Sequence, residues 1–158
     1  KDRGKNVIED IQYPERIYPI GRLDKDSEGL LLLTNQGELV NQINKSRSEK
    51  EKEYIVTVEE DITKHFLREM SEGVYLKDLD RTTKPCLVFQ EENIPVAQRK
   101  RQFHIILTEG LNRQIRRMCA TLGYTVKRLK RVRIMNLTVD GLKPGEYREI
   151  RKEELGLK

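Results

Sequence analysis

Three acidic side chains, Asp24, Asp26 and Glu28, alternate along a segment bracketed by Gly21 and Gly29. Oxygen ligands at every second position, with glycine at the sixth, imitate the start of a calcium-binding loop. The imitation fails at the twelfth position, where Asn35 stands in place of a bidentate glutamate, and no helix pair flanks the loop. A solvated acidic loop is the plainest alternative. A third chemistry needs only one of the acids. An aspartate that stays ionised and is rigidly held can attack carbon, and a neighbouring arginine would lower its pKa and keep it charged in a cleft. Gly21 and Gly29 permit tight turns, and the four leucines at 30–33 anchor the loop from behind. Spacing alone leaves all three readings open.

Cations concentrate downstream. Lys and Arg outnumber Asp and Glu by 31 to 26, the net charge is +5, and the long basic stretches fall within residues 99–133. On a helix over residues 112–122, Leu111, Ile115, Met118 and Leu122 share one face, Arg113 and Arg117 point to the opposite, solvated side, and Arg116 falls at the border. Half-buried there, its charge calls for an acidic partner. Lys127-Arg128-Leu129-Lys130-Arg131-Val132-Arg133 follows, basic at five of seven positions in a segment patterned as a strand. Extended, it carries charge on both faces, and a phosphate backbone would satisfy one of them. An edge strand guarded from aggregation by its charge is the alternative. No basic helix has the aromatic apolar face that a membrane surface would require.

These groups need elements to position them. The pattern predicts a buried strand over residues 30–33, a helical stretch over 36–44, and a strand over 54–58. A helix follows over 63–70, capped by Thr63 and ended by Gly73. Strands are predicted over 85–90 and 102–108, with a loop at 91–95. After the helix at 112–122, ended by Gly123, come strands within 126–139, broken in the middle, and at 147–150. Short helices among many strands, without a repeated βαβ unit, indicate an α+β fold on a largely antiparallel sheet. At 158 residues the chain fits one domain, or one with a small lobe. Cys86 and Cys119 are too few for a disulfide framework, and with His65 and His104 they show no metal-ligand spacing. No signal peptide and no apolar run of transmembrane length is present, so a reduced cytoplasmic protein is expected.

Residues 21–35, Gly-Arg-Leu-Asp-Lys-Asp-Ser-Glu-Gly-Leu-Leu-Leu-Leu-Thr-Asn, resemble the catalytic-loop signature of RNA pseudouridine synthases in the wording of the RsuA family. Lys52-Glu53-Tyr54 resembles that family's second block, and residues 107–118, Leu-Thr-Glu-Gly-Leu-Asn-Arg-Gln-Ile-Arg-Arg-Met, its third. The text is most similar to the RluF type, which modifies large-subunit ribosomal RNA. The resemblance, over roughly residues 16–155, implies a pseudouridine-synthase fold: a mixed, mainly antiparallel sheet, flanking helices and a central RNA cleft. It implies Asp24 as the catalytic carboxylate, Tyr54 stacking on the target base and helping remove its C5 proton, and Arg116 paired with Asp24. Leu129 would lie under the base. Arg22, Arg113, Arg117, Lys127, Arg128, Lys130 and Arg131 are the remaining RNA-binding candidates. Relatives usually carry an amino-terminal S4-like domain and an Asn-Lys-Pro-x-Gly strand before the loop. Residues 1–158 contain neither, so the expectation is a catalytic-domain fragment.

The implied reaction isomerises uridine in ribosomal RNA. It requires no cofactor or metal, and a monomer without obligate protein partner or membrane is expected. Two rivals remain: a basic RNA-binding or ribosome-assembly module without chemistry, and a nuclease built on Asp24 and Asp26. A pure binder gains nothing from a carboxylate in a basic cleft.

Overall fold

The computed structural model describes residues 14–20, 23–38, 40 and 50–151. Its centre is β4 (Lys52–Val58), flanked by β8 (Gln102–Leu107) and β9 (Val126–Ile134), both antiparallel to it. Beyond β8 lies β7 (Leu87–Phe89), and β10 (Leu137–Thr138) turns back on β9. One short strand runs the other way: β2 (Glu28–Gly29) pairs parallel to β9. A separate ribbon joins β1 (Tyr18–Ile20) to β3 (Leu32–Thr34), and a small hairpin joins β5 (Tyr75–Leu76) to β6 (Arg81–Thr82). The helices are α1 (Lys64–Glu72), α2 (Val96–Arg99) and α3 (Gln114–Thr121). The expected α+β fold on a mainly antiparallel sheet is what forms.

Strand alternation explains the core. Val56, Val58, Phe103, Ile105 and Leu129 project to one side of the sheet, where Phe66 and Met70 of α1 and Ile115, Met118 and Cys119 of α3 cover them. Phe66 meets Phe103 edge-on, with ring centroids 5.4 Å apart, and lies against Tyr124. The α1 boundaries follow local chemistry. The Thr63 side chain accepts a hydrogen bond from the Phe66 amide, and Gly73 ends the helix at φ 110°. His104 is buried on the other side of the sheet. It pairs with Glu53 through Nδ1 at 2.8 Å and stacks on Phe89, so it serves the sheet. Both thiols are free, and burial pushes Cys86 up to about 11 and Cys119 to about 12, so neither is a nucleophile at neutral pH.

Two sequence expectations are corrected. The leucines at 30–33 do not form one buried strand: β3 begins at Leu32, the only one of the four that is buried. The chain is crossing there from parallel pairing with β9 to antiparallel pairing with β1. Residues 147–150 form no strand, because only Ile150 among them packs against the small apolar cluster of Ile20, Leu32, Ile134 and Leu137. The helical stretch expected over 36–44 lies mostly outside the described residues. Among the described residues no helix is long and apolar enough to cross a membrane.

Replacing Thr63 by Ala should cost about 1 kcal/mol of stability, read as a lower urea midpoint with an unchanged denaturation slope.

Candidate active site

The acidic loop is held from three directions. Behind it, the Leu30 amide donates to the Arg131 carbonyl at 2.9 Å, and Arg131 returns two bonds from Nε and Nη2 to the Leu30 carbonyl at 2.9 and 2.7 Å. This approach depends on Gly29, whose φ is 115°: a Cβ there would lie 2.1 Å from the Arg131 carbonyl oxygen. No side chain fits that gap. In front, Arg113 reaches Asp26 Oδ2 with Nη2 at 2.9 Å, and Arg116 Nη2 donates to the Asp26 carbonyl at 2.8 Å. At the flank, Arg128 pairs with Glu28, with Nη2 to Oε2 at 3.2 Å.

These contacts separate the three acids. The hydrogen bond from Arg113 holds Asp26 below the usual aspartate pKa, and the bond from Arg128 does the same for Glu28. Asp24 accepts no side-chain hydrogen bond among the described residues; its nearest cation is Arg113, with Nη1 3.8 Å from Oδ2. Asp24 therefore keeps its oxygens open at the edge of a cleft of about 420 Å³. Tyr54, Leu129, Lys52 and Ile115 line the same cleft. A larger open hollow, about 590 Å³, lies among turn residues 140–148 and contains none of the candidate side chains.

The far rim is the loop between β8 and α3. Glu109 Oε1 accepts from the Lys84 amide at 2.9 Å and from Gln114 Nε2 at 3.0 Å. The buried Gln114 also accepts from the Leu111 amide. Arg113 follows in a left-handed conformation, φ 49° and ψ 39°, immediately before α3 begins.

Comparison with known proteins decides what this arrangement belongs to. The family profile described as RNA pseudouridylate synthase matches residues 1–121. The chain belongs to the RNA pseudouridine synthase family. It is 47% identical over 150 residues to the dual-specificity RNA pseudouridine synthase RluF of Escherichia coli K12, covering 95% of this chain and 49% of that protein. It is 38% identical to the ribosomal large subunit pseudouridine synthase B of Bacillus subtilis, covering 98% and 63%. A crystal structure of a pseudouridylate synthase superposes with TM-score 0.81 at 28% identity, over 95% of this chain and 64% of that one. The chain thus spans about half the length of the RluF proteins it matches.

Within this pseudouridine synthase fold, Asp24, Tyr54 and Leu129 meet at one cleft, while Arg116 departs from its expected place. Arg116 bonds the Asp26 backbone, and Arg113, expected in solvent, is the cation beside Asp24. The cause is the helix start. Phasing a helix from residue 112 assumes a regular first turn, but the left-handed Arg113 lies before that turn and swings toward the loop. Arg117 is not free either, since it bonds the Asn112 carbonyl and side chain and pairs with Asp78 at 3.5 Å. Strand alternation turns Leu129 and Arg131 toward the cleft and Arg128 and Lys130 to the opposite face. Arg131 is buried and moors the loop in place of standing out as a phosphate contact. Lys127 is exposed at the strand's start. Arg22 lies outside the described residues. Sequence reasoning passed over Lys52, Glu109 and Gln114. Their signal was position: all three fall inside the blocks that resemble the family's.

Two outcomes follow. Gly29→Ala should introduce roughly 1–3 kcal/mol of backbone strain and speed hydrogen exchange of the Leu30 amide, with β4 and β8 amides unaffected. In the unaltered chain the Asp26 carboxyl titrates below the ordinary aspartate value. The stability it contributes is present above that value and lost as pH falls through the depressed pKa. In Arg113→Met, carbon-detected NMR should show this titration moving upward.

Proposed function

We propose that this chain isomerises uridine to pseudouridine in large-subunit ribosomal RNA, with Asp24 as the reacting carboxylate. The observation that carries the reading is the division among the loop acids. Arginines occupy Asp26 and Glu28, while Asp24 faces the cleft beside Arg113 with its oxygens available. The names of the similar proteins, which include large-subunit synthases B and E, support ribosomal RNA as substrate.

The reaction breaks the bond from ribose C1′ to uracil N1 and joins C1′ to C5. The C5 proton is released and N1 gains one, so uridine and product have the same atoms and no oxidant or reductant enters. A stacked base cannot present C1′ or C6 to a side chain, so the target must be flipped into the cleft. Tyr54 and Leu129 then contact the base, and Asp24 attacks C1′ or C6, or takes a ribose proton on the way to a glycal. Arg113 stands 3.8 Å from the carboxylate on which each of these routes depends. Exposed Lys25 and Lys127 supply phosphate contacts that position the strand without reading its sequence. Among the described residues no three His, Cys, Asp or Glu side chains group to hold a metal ion.

Tritium release from ribosomal RNA labelled at uridine C5 tests this reading. The chain should release tritium, and Asp24→Asn should release none while binding the RNA at least as tightly. Equal release by both removes Asp24 from the mechanism. Binding without release by either identifies a non-catalytic RNA-binding module.

A further inference from the structure

The hairpin formed by β5 and β6 is fastened to the cleft at two points. On one side, Asp78 at its tip pairs with Arg117, which bonds Asn112 on the cleft rim. On the other, the Lys84 amide donates to Glu109, another rim residue. The base of the hairpin is closed as well. Val74 and Thr83 exchange backbone and side-chain hydrogen bonds, and Gly73 lies so near that a Cβ would come within 2.5 Å of the Thr83 carbonyl oxygen.

On this support stands an aromatic ring in solvent. Tyr75 is 53% exposed, although it sits in a paired strand next to the buried Leu76. Its hydroxyl donates to Asp80 Oδ1 at 2.6 Å, and Asp80 holds a left-handed conformation at φ 48°. The bond fixes the ring and raises the phenol pKa, so the hydroxyl stays neutral. Lys77 and Arg81 on the same hairpin, and Lys84 just beyond it, are exposed and without a side-chain partner among the described residues. The two hairpin acids are already engaged, Asp78 by Arg117 and Asp80 by Tyr75. What remains is an aromatic ring held by Asp80, on a hairpin where three exposed cations face one acid not paired with an arginine. At most about 7 Å of chain separates Thr82, the pairing partner of Tyr75, from the rim-bound Lys84.

We propose that this hairpin is a second RNA contact, in which a base flanking the flipped uridine stacks on Tyr75 and its phosphates meet Lys77, Arg81 and Lys84. The proposal rests on RNA being the substrate and adds where the neighbouring nucleotides go. Stacking recognises any base through its π face, and the cations track the backbone. This contact therefore favours an unpaired flank over one base sequence. Because both latches end on rim residues, RNA held here is delivered to Asp24 at a set distance.

The chain contains no tryptophan, so Tyr75→Trp introduces a single indole reporter. A single-stranded ribosomal RNA fragment containing uridine should quench its fluorescence saturably, along the same curve as the anisotropy of the labelled RNA. Tyr75→Ala should weaken binding about 10-fold, with Tyr75→Phe close to the unaltered chain. Changing Lys77, Arg81 and Lys84 together to Ala should flatten the salt dependence of binding, by roughly 0.7 in log–log slope for each phosphate no longer neutralised. RNA binding and tritium release without quenching, or with Tyr75→Ala unchanged, overturns the hairpin contact and leaves the isomerase standing. That result would leave the exposed ring to a protein partner. Neither binding nor release overturns both.

Discussion

Everything at this site depends on how closely the acidic loop can approach β9. Gly29 passes against the Arg131 backbone at a distance that admits no side chain, and this lets one short parallel pairing form inside an otherwise antiparallel sheet. Parallel pairing consumes only part of the loop's hydrogen-bonding capacity, and the Leu30 carbonyl is left facing inward. A buried carbonyl without donors is costly. Arg131 supplies them, and an arginine guanidinium does this better than a lysine because its planar fork places two N–H groups on one oxygen. The same cation thus closes the loop's backbone and stiffens the cleft wall.

Charge assignment follows from that mooring. Once the loop is fixed, Asp26 and Glu28 face Arg113 and Arg128, and these exposed pairs add little stability by themselves. Their effect is to sort the acids. Of three carboxylates within five residues, two are engaged and Asp24 is left toward the cleft. Arg113 takes part in both outcomes, gripping Asp26 closely and standing off Asp24 at 3.8 Å. Its left-handed backbone is the local cost, and the buried Gln114 with Glu109 holds the turn that imposes it.

Much of this was legible in the residues. The core faces of β4, β8, α1 and α3 follow apolar periodicity, and the Thr63 cap and Gly73 stop fall where their side-chain chemistry places them. The resemblance implied a shared cleft for Asp24, Tyr54 and Leu129, and all three line one, across more than a hundred residues of sequence. The failures have a common physical origin, because each turned on tertiary contacts that local pattern does not encode. Helical phasing misplaces Arg113 because a single αL residue moves the helix start. The leucine run changes pairing partner midway. The basic strand resembles a phosphate track, yet the loop's unmet carbonyl draws Arg131 inward.

In the proposed reaction, placement of the Asp24 carboxylate, and not its charge alone, sets the rate. Asp24→Glu tests it directly, since charge is retained and the carboxylate moves by one methylene. Under single-turnover conditions with saturating ribosomal RNA, the rate of pseudouridine formation should be at least about 10²-fold lower, with RNA affinity unchanged. A variant that reacts at nearly the original rate would contradict it, because a loop so closely moored would then have no bearing on where the carboxylate must be.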